Sequence, residues 1–389
     1  AASRSVETVP EEKAEASLRS PPPSPPTAGE SQLDARHRGN AASAAVARPL
    51  QQARPPASKC TGILHAGQTR KAMRCYTKQH DQSRALGEGP GDFETSWLKL
   101  RHDTEMLEFL GEERMPLELQ RAPQLFRGIL EAADAYRKRP TKTFKIQIPD
   151  KGDRDLWHAT HNRHIYNPPA ASKKLATVLN PQLDLASVEE AYFASAANIS
   201  TDARCEGEET GGWVVVDDLF TPEALAALRA YLTESTFYYY PKFGGHYLSS
   251  LLEDGMSAPL LVQITEELRK RLPRILGRHP LHTGWAFKFD NALNSSAAAP
   301  GKQMGVGVHA DSAAVNLNFW PIAADTQDRG GLTLYKVGAP ATMEFSEFND
   351  PKHLKHISDT APKEEIEYRP NRLVIFNSNL LHETGRLRF

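Results

Sequence analysis

Apolar positions are sparse at the start of the chain and become periodic only further in. Residues 1–90 hold few large apolar side chains; the first 60 or so are rich in Ala, Pro, Ser, Arg and Glu, with a proline run from Pro21 to Pro26. Such a stretch cannot bury enough surface to offset its ordering entropy, so it is expected to be a disordered tail. An organelle transit peptide is the sharper alternative, against which Glu7, Glu11, Glu12 and Glu15 count. Residues 91–205 read as a helical lead-in. Trp97, Leu98, Leu100, Met106, Leu107, Phe109 and Leu110 recur at mixed helical spacing, and Leu125, Phe126, Ile129, Leu130, Ala133 and Tyr136 form a cleaner amphipathic stripe. Residues 142–149 alternate like a short strand, and a turn at Asn180 and Pro181 leads into a helix near 188–196.

From residue 206 to 389 the period shifts mostly to two. Residues 212–220 form a compact apolar strand, followed by Thr221 as N-cap, Pro222 at the first helical position and Glu223 in the first turn. A second helix is expected over 257–272. Strands follow at 284–290, 306–311, 314–320, 331–337, 365–368 and 372–377, punctuated by Gly, Pro and Asn. The expected class is α+β: a distorted double-stranded β-helix, or jelly roll, with helices packed ahead of it.

Composition narrows this picture by exclusion. The 47 Lys+Arg and 48 Asp+Glu nearly cancel, to a formal net charge of -1, so bulk charge gives no support to a nucleic-acid or membrane partner. Cys60, Cys75 and Cys205 are odd in number and lack metal-ligand spacing, which speaks against a disulfide-stapled fold and favours a reducing compartment. No apolar run approaches a membrane span, so a soluble intracellular protein, cytoplasmic or organellar, is expected. The chain begins at Ala1 rather than Met and stops at Phe389, consistent with a cut at either end.

The candidate chemistry sits on the strands. Residues i and i+2 of a strand share a face, so His309 and Asp311 can present a nitrogen and an oxygen to one point, and His382 after a neighbouring strand can add a second nitrogen. Two imidazoles and a carboxylate occupy one face of an octahedral ion and leave the opposite face open, as in non-haem Fe(II) oxygenases. The absence of thiolates argues against a structural zinc centre. His158, His161 and His164 also invite a metal reading, but their spacing suits a polar loop better. Lys288, Asn316 and Asn318 could reach a cosubstrate or simply face outward. Trp285, Phe319 and Trp320 read as core aromatics, and Tyr238, Tyr239 and Tyr240 as an anchored loop or a mobile lid.

Residues 214–224, Val308 to Asp311 and Asn377 to Thr384 resemble the 2-oxoglutarate and Fe(II)-dependent dioxygenase superfamily, in its prolyl-hydroxylase-like branch. Lys99 to Asp103, Leu179 to Pro181, the His309 block through Trp320, and Tyr368 to Arg372 are further similar to microbial and algal oxygenases sometimes fused to tetratricopeptide repeats. The resemblance covers roughly residues 92–389. It implies Fe(II) held by His309, Asp311 and His382, 2-oxoglutarate and O2 as cosubstrates, ascorbate as a further candidate cofactor, and hydroxylation of a C–H bond in a peptide or small molecule. It also implies an Arg or Lys that pairs with the far carboxylate of 2-oxoglutarate. That residue is expected on a strand beyond Phe389, which leaves Arg388 and Arg386 as candidates here. Two other readings use the same three residues: an inactive metal-binding module, and a cupin-type metalloenzyme that needs no 2-oxoglutarate.

Overall fold

A computed structural model describes residues 59–86, 94–199, 211–242, 247–289, 305–322, 328–340, 342–344, 346–384 and 387–388. Helices and strands are mixed and every strand pair is antiparallel, so the α+β class holds. In chain order the helices are α1 (Lys59–His65), α2 (Thr69–Leu86), α3 (Trp97–Arg114), α4 (Ala122–Ala132), α5 (Lys151–Thr160), α6 (Leu185–Ala194), α7 (Pro222–Glu234), α8 (Pro259–Arg271), α9 (Pro273–Leu276) and α10 (Pro351–Ser358). The strands are β1 (Glu94–Ser96), β2 (Thr143–Lys145), β3 (Trp213–Val216), β4 (Tyr240–Lys242), β5 (Tyr247–Leu251), β6 (Trp285–Phe289), β7 (Val315–Trp320), β8 (Asp328–Arg329), β9 (Gly331–Gly338), β10 (Lys363–Glu367), β11 (Arg372–Asn377), β12 (Leu380–Thr384) and β13 (Leu387–Arg388).

Two of these elements correct the reading of residues 1–90 as a tail. α1 and α2 pack Cys60, Leu64, Ala72, Met73 and Tyr76 into the main apolar core. Their short connection folds the helices back on one another, bringing the Cα atoms of Cys60 and Cys75 to 5.4 Å, and the two cysteines form a disulfide. The expectation of free thiols in a reducing compartment is thereby overturned for this pair; Cys205 lies outside the described residues.

Local chemistry sets the helix ends. The Ser96 hydroxyl accepts from the Lys99 amide to start α3, Asp150 accepts from Asp153 at α5, and Thr221 from Ala224 at α7. Within α3, Gly111 adopts φ 57, a left-handed backbone that glycine enters without a Cβ penalty.

The larger sheets have the strand orders β3-β11-β7, β10-β9-β12 and β4-β5-β6. β11 is buried on both sides, which explains its unbroken apolar run. Leu373 and Ile375 pack into the core shared with the helices, whereas Val374 and Phe376 meet Leu332 and Leu334 of β9 and Ile366 of β10. The first two sheets therefore face one another across a small apolar interior. Within the second sheet β9 and β10 approach closely at Gly331 (φ +140), where an added Cβ would lie 2.0 Å from the Ile366 carbonyl oxygen. The segment Tyr368 to Arg372 forms the turn into β11. Asn371, with φ 64, exchanges two side-chain hydrogen bonds with the Phe220 backbone, and Arg369 and Arg372 both pair with Asp217. That part of the sequence resemblance is a structural knot between two turns.

Candidate metal centre

His382 lies on β12 opposite Leu334 of β9, so its ring points into the interior between the sheets, with Phe376 edge-on at 4.8 Å. The strand expected over 306–311 is an extended segment joined to β12 by a single bridge, His309 to His382. In that bridge each residue's amide donates to the other's carbonyl, at 2.9 and 2.8 Å. Further along, the Asp311 amide donates to the Ser378 carbonyl at 3.0 Å and the Thr384 amide to the Val306 carbonyl at 3.0 Å. These bonds place the first two candidate ligands beside the third.

The result is a convergence of acceptors. His309 Nδ1 lies 2.8 Å from the Gly307 carbonyl oxygen and His382 Nδ1 2.8 Å from that of Leu380, so each Nδ1 carries the proton that it donates there. In each neutral ring Nε2 is then the atom that holds the lone pair. Both Nε2 atoms face the carboxylate of Asp311, His309 Nε2 at 3.8 Å from Oδ1 and His382 Nε2 at 3.3 Å from Oδ2. Burial, followed by the neighbouring His382, pushes the His309 imidazole down to about 4, so it is neutral at physiological pH. The Asp311 carboxyl is held below its ordinary range: burial acts upward, and contacts with His382, His309 and Asn316 outweigh it. Three donor atoms from these residues lie within 4.8 Å of one another. Two imidazole Nε2 atoms and a carboxylate brought this close together are a donor set that fits a divalent cation.

The surroundings are built to hold this arrangement. Asn316 of β7 donates its amide to Asp311 Oδ2, and the Ser378 hydroxyl donates to the Asn316 carbonyl oxygen at 2.9 Å. The site opens on one side, with His309 and Asp311 at 18% and 19% side-chain exposure against 5% for His382.

The other sequence candidates distribute unevenly. Asn318 shares the Asn316 face of β7, two residues further along the strand. The Arg388 backbone pairs with Asp328 between β13 and β8, and Arg386 lies outside the described residues. Lys288 points to the helices, donating to the Thr233 carbonyl oxygen at 3.1 Å and to the Met106 sulfur. Tyr238 and Tyr239 are buried in the core, and the Tyr240 hydroxyl donates to Asp254, so these rings anchor their loop. Trp285 departs from its core reading and is exposed on β6.

His158 and His161 do not join the metal centre. His161 stacks on Trp157 at 4.2 Å and approaches Asp103 at 3.7 Å in a second buried polar cluster, with Lys99 and His102, that sequence reading missed. The buried relay through Asn316 and Ser378 was missed too. Its one sequence signal is Asn316, a polar residue between Val315 and Leu317 on the strand that follows Asp311.

Among the described residues no helix is long and apolar enough to cross a membrane. No family model matches the chain, and no curated protein does. Among solved structures, the chain is similar to a non-haem alpha-ketoglutarate-dependent carbocyclase, SnoK, from nogalamycin biosynthesis. The two are 14% identical over 50% of this chain and 81% of that one, with a TM-score of 0.32. A likeness of that size carries no functional weight, and the chemistry rests on the site itself.

Proposed function

We propose that the chain is an Fe(II)- and 2-oxoglutarate-dependent oxygenase that hydroxylates an unactivated C–H bond, releasing succinate and CO2, on a double-stranded β-helix of the prolyl-hydroxylase-like kind. The observation that carries the reading is the convergence of two imidazoles, each turned to present Nε2, and one carboxylate at a site open on one side. The two facing antiparallel sheets are the framework such a fold requires.

His309, Asp311 and His382 hold the ion, and the Gly307 and Leu380 carbonyls fix the two imidazoles in the tautomer that offers Nε2. Bound Fe(II) supplies the redox chemistry that couples 2-oxoglutarate decarboxylation to C–H oxidation. Phe376 and Leu334 keep water from the inner side of His382, so cosubstrate and substrate approach past His309 and Asp311. Asn318, on the Asn316 face of β7, and Arg388 remain the proposed cosubstrate contacts, Arg388 for the far carboxylate. Loop residues outside the sheets set the substrate, a peptide or small molecule.

The test is an anaerobic Fe(II) titration with and without 2-oxoglutarate, followed by visible absorption. A weak charge-transfer band that needs both components and vanishes in His309→Ala supports the reading. Fe(II) binding that is unchanged in His309→Ala and His382→Ala, or the absence of binding, overturns it.

A further inference from the structure

We infer that Asn316 and Ser378 form a positioning clamp that commits Asp311 to binding the metal through one oxygen; the inference rests on the metal-centre reading above. Polarity fixes the direction of each bond in the clamp. An ionised carboxylate only accepts hydrogen bonds, so the Asn316 side chain must turn its NH2 toward Asp311 Oδ2. Its carbonyl then faces Ser378, whose hydroxyl donates at 2.9 Å. Every group in the chain from Ser378 to Asn316 to Asp311 has one allowed direction. Asn316 and Ser378 are both buried, so water does not substitute for either partner.

The clamp gathers three separate segments. Asn316 is on β7, Asp311 on the extended segment that carries His309, and Ser378 at the turn between β11 and β12, four residues before His382. The Ser378 carbonyl also accepts from the Asp311 amide at 3.0 Å, so backbone and side chain of Asp311 are tied to the same turn. Asn316 holds Oδ2, which also lies 3.3 Å from His382 Nε2, and so fixes the rotation of the carboxylate. Single-oxygen binding matters because three protein donors leave three of six octahedral positions, enough for a chelating keto acid and one further ligand. A carboxylate that rotated and chelated would take one of those positions. Asn316 and Ser378 are positioning residues: they act on the ion only through Asp311.

Mn(II) is the probe, because it does not oxidise during the measurement. Its affinity is compared by titration calorimetry in the wild type, His309→Ala, Asn316→Ala, Ser378→Ala and the Asn316→Ala/Ser378→Ala double variant. The expected pattern is no binding in His309→Ala, a roughly 10–100-fold loss in Asn316→Ala, and a smaller loss in Ser378→Ala that disappears in the Asn316→Ala background. At saturating Co(II), Asn316→Ala is also expected to alter the visible ligand-field bands. Should Asn316→Ala fail to fold, Ser378→Ala, which deletes one buried oxygen, carries the decision. Affinity within twofold of wild type in the folded variants overturns the clamp while leaving the metal centre standing. A wild type that binds no Mn(II) overturns both.

Discussion

Replacing Asp103 by Asn is expected to be among the most damaging single changes outside the metal centre. On α3 the Lys99 ammonium pairs with Asp103 at side-chain exposures of 4% and 14%, and His102 Nδ1 sits 3.1 Å from the same carboxylate. Burial acts to raise the Asp103 carboxyl, but Lys99 and the two histidines override it and hold it well below the usual range. The mutation leaves the Lys99 charge buried with no counter-charge, a change that costs about 3–5 kcal/mol. That is a large share of the roughly 5–15 kcal/mol by which domains are stable. The assay is urea unfolding of wild type, Asp103→Asn and Lys99→Met/Asp103→Asn at pH 7. The double variant removes the stranded charge and is expected to regain most of the loss. The single variant carries a pH signature as well. Its Lys99 titrates in the folded state below the free-lysine value of about 10.4, so its stability rises with pH from that lowered value up to about 10.4. A loss under about 1 kcal/mol in Asp103→Asn, or a double variant no better than the single, would refute the reasoning.

Three other outcomes follow from the same geometry. Burial first of all pushes His102 and His161 down to about 4, so the folded state binds fewer protons than the unfolded one between that value and about 6.5. Stability is therefore present above pH 6.5 and lost as pH falls toward 4, by up to about 1.4 kcal/mol per pH unit for each imidazole, and His161→Gln flattens that slope in denaturant midpoints. Asp103, Lys99, Lys288 and Arg163 are the charged groups bearing on these rings. Phe376→Ala, which empties a fully buried site against His382, is expected to cost about 3–5 kcal/mol in urea unfolding; a loss below about 1 kcal/mol would contradict the packing described. Removing the Cys60–Cys75 bond by double alanine substitution opens a loop of sequence separation 15, which is expected to lower unfolding free energy by about 3 kcal/mol; a variant as stable as wild type would show that the bond adds nothing.

Much of the architecture is written in short-range pattern. Thr221, Pro222 and Glu223 announce α7 and it begins there; the stripe from Leu125 to Ala133 becomes α4 with a tighter 3-10 turn after it. Residues 142–149 yield only three strand residues, because the partner strand β1 is three residues long. The three candidate ligands are legible because strand alternation is local and their residue types are distinctive. What stays hidden depends on distant contacts. Asp103 and His161 resemble surface residues until the fold brings α3 and the end of α5 together. α1 and α2 hide among Lys and Arg, since their apolar face is narrow and gains its meaning only against the core. The disulfide eluded cysteine counting because Cys205 makes the total odd.

The mutual backbone bonds of His309 and His382 have a thermodynamic consequence. The rung that fastens the extended segment to β12 is made by the same two residues that are proposed to offer their rings to the ion. Opening that rung dismantles the donor set, so ligation and local closure are one equilibrium. A metal present at a hundred times its dissociation constant should deepen closure there by about 2.7 kcal/mol. Deuterium uptake at these two amides would then slow by about a hundredfold while distant helices keep their rates, making this rung an internal gauge of occupancy.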